Sequence, residues 1–316
     1  MFSVVIPLYN KACYVEKAVL SVLSQTFTEY ELIIVNDGSK DNFKEVLERI
    51  DLKNTDYRLI NQANAGVSSA RNIGVQSSKY PYIAFLDADD WWEPTYLEEM
   101  SLLVKEYPEG GIYGSSYYLV KNENKRIAPI GLKPGFKSGE INYYQVYAET
   151  LCMPLWTGAV VVPKECFLEQ GGFNPVLKLG EDLDLWVRIA LKYPVVFINK
   201  PLSNYNQDVD VYNRGVAKDK IFQPEVFMTF NLEYLQEEER KNKDLKILLD
   251  RLRVMTLSRY RFNNAYPKEV KKVIDEVDFR HVSRYYYNLY HFPVLVVKGW
   301  YSVLKLGSYL KKSIIK

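Results

Sequence analysis

The chain has only two histidines and three cysteines in 316 residues. With so little imidazole, a His-built zinc site or a Ser-His-Asp triad has almost no material to draw on. Cys13, Cys152 and Cys166 are odd in number, widely spaced and without a CxxC pair. That pattern argues against a disulfide framework and a structural zinc site, and it suits a reducing cytoplasm. Neither GxGxxG nor GxxxxGK[ST] occurs, so a Rossmann dehydrogenase and a P-loop kinase lose their main support. Charge imbalance is missing too: the formal net charge is +2, which gives no whole-chain basis for binding nucleic acid. No run reaches the ~18 uninterrupted apolar residues of a membrane span. The best stretch, 292–310, is broken by Lys298 and Lys305. The opening Phe2-Ser3-Val4-Val5-Ile6-Pro7 lacks a basic lead-in and reads as a strand, not as a signal segment. Any acid, base or metal chemistry must therefore fall to carboxylates.

What is present is an alternation of short apolar runs with helical patterns, the signature of βαβ units feeding a mainly parallel sheet. The pattern predicts strands near 2–7, 31–36, 57–61, 81–86 and 111–120. Between the first two, Val15, Val19, Val22 and Leu23 fall on one helical face. Further helices are predicted over 42–50, from Val67, and from Pro94, a favoured first helical position, to Tyr107. Tyr82-Ile83-Ala84-Phe85-Leu86 is nearly all apolar, as a central strand covered on both faces requires. Residues 121–140, rich in Lys, Asn, Gly and Pro, read as a long surface excursion on the acceptor side. A second α/β stretch follows, with a strand near 157–162, a turn at Gly171-Gly172, a helix over 181–192 and a strand at 195–198. After about residue 216 only helical patterns remain. The charged segment 232–253 reads most simply as a solvated amphipathic helix. The expected organisation is a catalytic domain at 1–215, split into a donor half (1–110) and an acceptor half (111–215), and a helical accessory region at 216–316.

In an open parallel sheet, ligands bind beyond the carboxyl ends of the strands. Those ends read Pro7-Leu8-Tyr9-Asn10, Asn36-Asp37-Gly38-Ser39 and Asp87-Ala88-Asp89-Asp90. Asp37-Gly38-Ser39 by itself is either an ordinary turn and helix cap or a ligand contact. The three carboxylates after a buried strand repel one another unless a cation or hydrogen bonds neutralise them. A hard divalent ion would take one or two of them together with substrate phosphates. The alternative is a solvated loop in which Asp90 caps the next helix. Arg71 suits either a phosphate contact or a surface ion pair, and Glu181-Asp182 either favours a helix dipole or supplies a base.

Several segments occur in order: Val4-Val5-Ile6-Pro7-Leu8-Tyr9-Asn10, Ser24-Gln25-Thr26, and Glu31-Leu32-Ile33-Ile34-Val35-Asn36-Asp37-Gly38-Ser39. Then come Asn64-Ala65-Gly66-Val67-Ser68-Ser69-Ala70-Arg71-Asn72-Ile73-Gly74 and Phe85-Leu86-Asp87-Ala88-Asp89-Asp90. Together they resemble the family 2 glycosyltransferases of the GT-A fold, and Gly171-Gly172-Phe173 with Glu181-Asp182-Leu183-Asp184-Leu185-Trp186-Val187-Arg188 extends the resemblance to about residue 205. The resemblance implies a Rossmann-like α/β nucleotide-binding domain and inverting transfer from a nucleotide-sugar, with a UDP-sugar favoured. It implies that Pro7, Tyr9, Asn10, Asp37, Gly38, Asn64, Gly66, Arg71, Asp87, Ala88 and Asp89 line the donor site. In that picture Tyr9 stacks on the base, Asp37 hydrogen-bonds it, and Asp87 with Asp89 meets the ribose and a Mn²⁺ or Mg²⁺ ion. Asp182 becomes the general base. The QxxRW motif of processive synthases is missing, which favours transfer of one sugar per encounter. Family habit suggests a glycan or lipid-linked glycan acceptor at a bacterial surface. Residues 281–316 carry Arg284, Lys298, Lys305, Lys311, Lys312 and Lys316, no acidic residue and many aromatics. Such a segment either packs on the protein or lies on anionic lipid as a peripheral membrane contact.

Overall fold

Strand β1 (Phe2–Leu8) is buried along its whole length, as a strand with neighbours on both edges and helices on both faces must be. It pairs in parallel with β2 (Tyr30–Asp37), which pairs in parallel with β3 (Tyr57–Gln62). The crossovers carry α1 (Ala12–Leu23), whose Val15, Val19 and Val22 are buried as the 3.6-residue spacing predicts, and α2 (Phe43–Glu48). Helix α3 (Val67–Gln76) then returns the chain to β4 (Tyr82–Phe85) on the opposite side of β1. The order β3-β2-β1-β4 therefore reverses direction at β1, and a crevice opens beyond the carboxyl ends of β1 and β4. Proline widens it. β1 pairs with β4 only through Val5↔Phe85, but with β2 as far as Leu8↔Asn36. Pro7 has no N–H to give.

The computed structural model describes residues 1–209, 220–297 and 299. Beyond β4 it shows β5 (Trp91–Trp92), α4 (Tyr96–Glu106), β6 (Ile112–Lys121), β7 (Asn124–Ile127), β8 (Ser138–Ile141) and α5 (Tyr143–Thr150). Strand β9 (Val160–Pro163), α6 (Lys164–Glu169), α7 (Glu181–Ala190) and β10 (Val195–Asn206) follow. The sheet runs β3-β2-β1-β4-β9-β6-β10-β5, with β7 on β6 and β8 on β10. Long parallel ladders join β1, β2, β3 and β4, and β6 to β10; shorter antiparallel ones bring in β9, β5, β7 and β8.

Three expectations change. Helix α4 begins at Tyr96, after Thr95, and not at Pro94, whose carbonyl instead accepts the Thr26 N–H at 2.9 Å. The excursion at 121–140 contains β7, fully exposed, and part of β8. The strand predicted at 195–198 continues to Asn206, with register irregularities around Pro201.

The chain divides into two compact units, Met1–Lys218 and Asp219–Lys316. The second is helical where described: α8 (Gln236–Lys241), α9 (Lys243–Asn263), α10 (Pro267–Ile274) and α11 (Arg284–His291), with short 3₁₀ turns. Segment 232–253 is not the solvated helix expected. Glu239, Asp250 and Arg253 are buried, Arg253 donates to Glu239 Oε2 at 2.9 Å, Lys246 reaches Asp250 at 2.6 Å, and His281 Nδ1 lies 2.8 Å from Asp250. Its charges neutralise one another inside the unit. Of the basic C-terminal segment, residues 298 and 300–316 lie outside the described residues.

Candidate active site

The crevice is walled by loops whose backbone geometry the sequence dictates. Gly38 has φ +72°, and a Cβ there would meet the Asn64 backbone nitrogen at 2.9 Å, so glycine alone lets the two loops touch. Gly66, at φ +92°, starts α3. Asp37, 3% exposed, ties these loops together. Its Oδ1 accepts from Ala65 N at 2.7 Å and Gln62 Nε2 at 2.6 Å, and its Oδ2 from Gly66 N at 2.9 Å. Asn64 Nδ2 donates to the Asp37 carbonyl at 3.1 Å. Four lone-pair positions less three donors leave a carboxylate with room for one further hydrogen bond. Asn10 adopts a left-handed φ of 49°, with its N–H on Ser39 Oγ and its Oδ1 accepting from Lys40 N. This turn leaves the Tyr9 ring 46% exposed at the mouth of the crevice.

Across the crevice, each carboxylate after β4 has its own partner. Asp87 accepts from Arg71 Nη2 at 2.7 Å. Asp89 is ion-paired with Lys11 Nζ. Burial pushes the Asp89 carboxyl above its ordinary value, against the pull of the Lys11 charge. Asp90 does not cap α4: it is buried and accepts from Trp156 Nε1 at 3.0 Å and from Asn206 N at 2.9 Å. Burial, and then the Asp89 and Asp87 charges, push it well above the carboxylate range. Each of the three carboxylates thus has a protein partner, Arg71 for Asp87, Lys11 for Asp89, and Trp156 with the Asn206 N–H for Asp90.

Arg71 is buried, so it is no surface ion pair. Its guanidinium bridges Asp87 and Glu181 Oε1, the latter at 3.3 Å, and lies 5.1 Å from the Phe173 ring centre. Burial works against the charge, but Asp87 and Glu181 more than offset it and hold the pKa above the ordinary value. The guanidinium therefore joins the donor side of the crevice to α7.

Asp182, half-buried in the first turn of α7, accepts from the Leu183 N–H at 2.7 Å. Burial first, and then the Glu181 charge, push its carboxyl up to about 7, in spite of Arg71. A carboxylate near neutrality can take a proton and release it again. Asp184 is occupied differently. It receives Arg188 at 2.6 Å, and Arg188 Nη2 in turn donates to the Gly172 carbonyl at 2.8 Å, which fixes the Gly171-Gly172 turn. Asn72 completes the link: its Nδ2 donates to the Phe173 carbonyl at 2.8 Å and its Oδ1 accepts the Phe173 N–H at 3.0 Å.

Among the described residues no group of three or more His, Cys, Asp and Glu could hold a metal ion. A hard cation would be held by Asp89 and Asp87 with the phosphates of a substrate supplying most of the other ligands, the usual arrangement for Mg²⁺. Pro7, Tyr9, Asn10, Asp37, Gly38, Asn64, Gly66, Asp87, Ala88 and Asp89 lie on the loops and strand ends around the crevice, and Arg71, on α3, links Asp87 to the residue beside Asp182. Lys11, Asn72 and Trp156 were not singled out from the sequence. Lys11 alone carried a usable signal, a cation directly after a strand-end motif.

Residues 3–153 match the family model described as glycosyl transferase family 2. The chain is 32% identical over 203 residues to an uncharacterized glycosyltransferase of Rickettsia felis, covering 64% of this chain and 32% of that protein. It is 30% identical over 218 residues to glycosyltransferase GlyA of Streptococcus pneumoniae (64% and 30% covered). With hyaluronan synthase of Pasteurella multocida it shares 37% identity over 227 residues (70% and 22%). The chain thus spans only a minor part of the length of these relatives. The crystal structure of S. aureus TarS 1-349 in complex with UDP-GlcNAc superposes with a TM-score of 0.72 at 19% identity, covering 89% of this chain and 82% of that one, a likeness of fold.

Proposed function

We propose that residues 3–153, which match the glycosyl transferase family 2 model and share the fold of the TarS neighbour, form a domain of that family, and that the chain transfers one sugar from a nucleoside-diphosphate sugar to an acceptor hydroxyl with inversion. The observation that carries this reading is the single guanidinium of Arg71 shared between Asp87 on the donor side and Glu181 beside Asp182. It sets a proton acceptor and a diphosphate-binding edge on one rigid frame. Tyr9 offers its exposed ring to the base, and Asp37 its remaining acceptor position. The acceptor oxygen attacks the anomeric carbon from the face opposite the diphosphate and its proton passes to Asp182. The bond to the diphosphate oxygen breaks, and the nucleoside diphosphate leaves with the electron pair. A divalent cation at Asp89 would supply charge neutralisation for that leaving group. UDP-sugars are favoured, in keeping with the UDP-GlcNAc and UDP complexes of the TarS neighbour.

Thermal stabilisation by a panel of UDP-, GDP- and dTDP-sugars with and without Mn²⁺ tests the reading. A metal-dependent shift with one nucleotide class is expected; no shift with any of them would refute it. Asp89→Ala should remove the Mn²⁺-dependent part of the affinity for the diphosphate product. Lys11→Met, which frees Asp89 from its cation, should strengthen Mn²⁺ binding to the nucleotide-free protein. Unchanged Mn²⁺ binding by calorimetry in both variants would take the ion away from Asp89.

The acceptor side of the reading is a glycan or lipid-linked glycan, with peripheral attachment to anionic membrane through residues 281–316. Leu295 (82% exposed), Val296 and Phe292 are exposed in that segment, and apolar side chains of this kind can enter a lipid interface. No helix among the described residues is long and apolar enough to cross a membrane. The full chain should co-sediment with anionic vesicles in a salt-sensitive way, and a chain truncated after Arg280 should not. Equal pelleting of both would reject the attachment.

A further inference from the structure

Asp90 bonds outward in two directions that the reaction as described does not use. Its backbone N–H donates to the Asp87 carbonyl at 3.0 Å, which fixes it to the donor turn. Its two carboxylate oxygens hold the Trp156 indole N–H and the Asn206 backbone N–H. Asn206 follows Tyr205, and the Trp156 and Tyr205 rings lie 4.1 Å apart at 37°. One buried carboxylate therefore holds the Trp156 indole and the backbone directly after Tyr205, two residues whose rings are both only half-buried, at the strand end that bears Asp87 and Asp89. Tyr117 is buried beneath the pair, its ring 6.0 Å from that of Trp156 and its hydroxyl donating to the Met153 carbonyl at 2.9 Å.

A half-buried indole held by its N–H has little rotational freedom left to lose, which suits a flat partner that binds through C–H groups. We infer that Trp156 and Tyr205 form a stacking subsite for a sugar ring of the acceptor, anchored to the donor turn by Asp90. The inference rests on the glycosyltransferase reading and adds to it the residues that hold the acceptor's sugar ring. Packing of the rings in a local apolar cluster with Ala128 and Ala159 accounts for their burial, but it gives no reason for Asp90 to join both residues to the donor turn.

Saturation-transfer NMR with UDP and the methyl glycosides of glucose, galactose, mannose and N-acetylglucosamine tests the subsite. At least one glycoside should receive saturation from the native chain. Trp156→Ala and Tyr205→Ala should each weaken its binding about tenfold, while the UDP signals stay unchanged. Trp156→Phe, which keeps a ring and loses the indole N–H, should retain most of the binding. Tyr205→Ala leaves the Trp156–Asp90 bond intact and so guards against a folding defect. Bound UDP with no glycoside signal, or a glycoside signal indifferent to both alanine variants, overturns the subsite. A glycoside signal that depends on Trp156 while UDP is silent keeps the subsite and rejects the nucleotide donor, so the two failures are distinct.

Discussion

Replacing Asp182 by asparagine should reduce turnover by about 10² to 10⁴, the range that a positioned general base supplies, and leave nucleotide affinity almost unchanged. The amide keeps the side-chain volume and the hydrogen bond from Leu183 N, but it cannot take the acceptor proton. The pH profile makes the test sharper. Asp182 is pushed up to about 7 by burial and by Glu181, and in the proposed reaction its basic form is the one that takes the proton. Activity should therefore fall as pH drops through about 7, by roughly tenfold per unit well below it. Glu181→Gln removes a charge that raises Asp182 and also frees Arg71, which lowers it, so both effects move the acidic limb to lower pH. A limb that stays in place, or a loss of less than about tenfold in Asp182→Asn, would assign the proton to another group.

Arg71→Ala should cost stability as well as activity. Breaking a buried ion pair by removing one partner typically costs about 3–5 kcal/mol, because the remaining charge stays desolvated. Here two carboxylates, Asp87 and Glu181, lose the same cation. Urea unfolding of the variant should show a loss in that range. A surface pair, the alternative that the sequence left open, would lose no more than about 1 kcal/mol. The two readings differ by several fold in one measurement. Arg71→Lys should recover part of the loss, since an ammonium can meet either carboxylate but lacks the planar fork that reaches both.

The parts of the fold legible in the sequence are those where burial leaves a mark on every residue. β1, β2 and β4 are covered on both faces, so each reads as an unbroken apolar run, and the polar residues directly after them mark the crevice. Where burial is partial the record fades. The strand predicted at 195–198 stops short of Lys200-Pro201, although β10 passes through that pair because β6 on one side and β5 and β8 on the other hold the flanking residues. Trp91-Trp92 is too short to announce a strand and becomes one only by pairing with Ser203 and Asn204. Charges were the least legible. Arg71 and Glu181 are 110 positions apart, and nothing local in either segment shows that Arg71 is buried and not solvated. The same holds for Glu239, Asp250 and Arg253, whose helical spacing suits a wet face but whose partners are in the interior.

Strand β9 is drawn from the second half of the catalytic unit yet lies between β4 of the first half and β6. Backbone hydrogen bonds therefore run without interruption from the nucleotide edge to the acceptor edge. Hinge closure of one half over the other, the route by which many two-lobed enzymes admit and seal in their substrates, would have to tear the β4–β9 ladder. On the proposed function, entry of the donor and exit of the spent diphosphate fall to the loops that crown the strands. Any transfer activity should accordingly respond to substitutions in those loops and hardly at all to changes in the sheet that leave it folded.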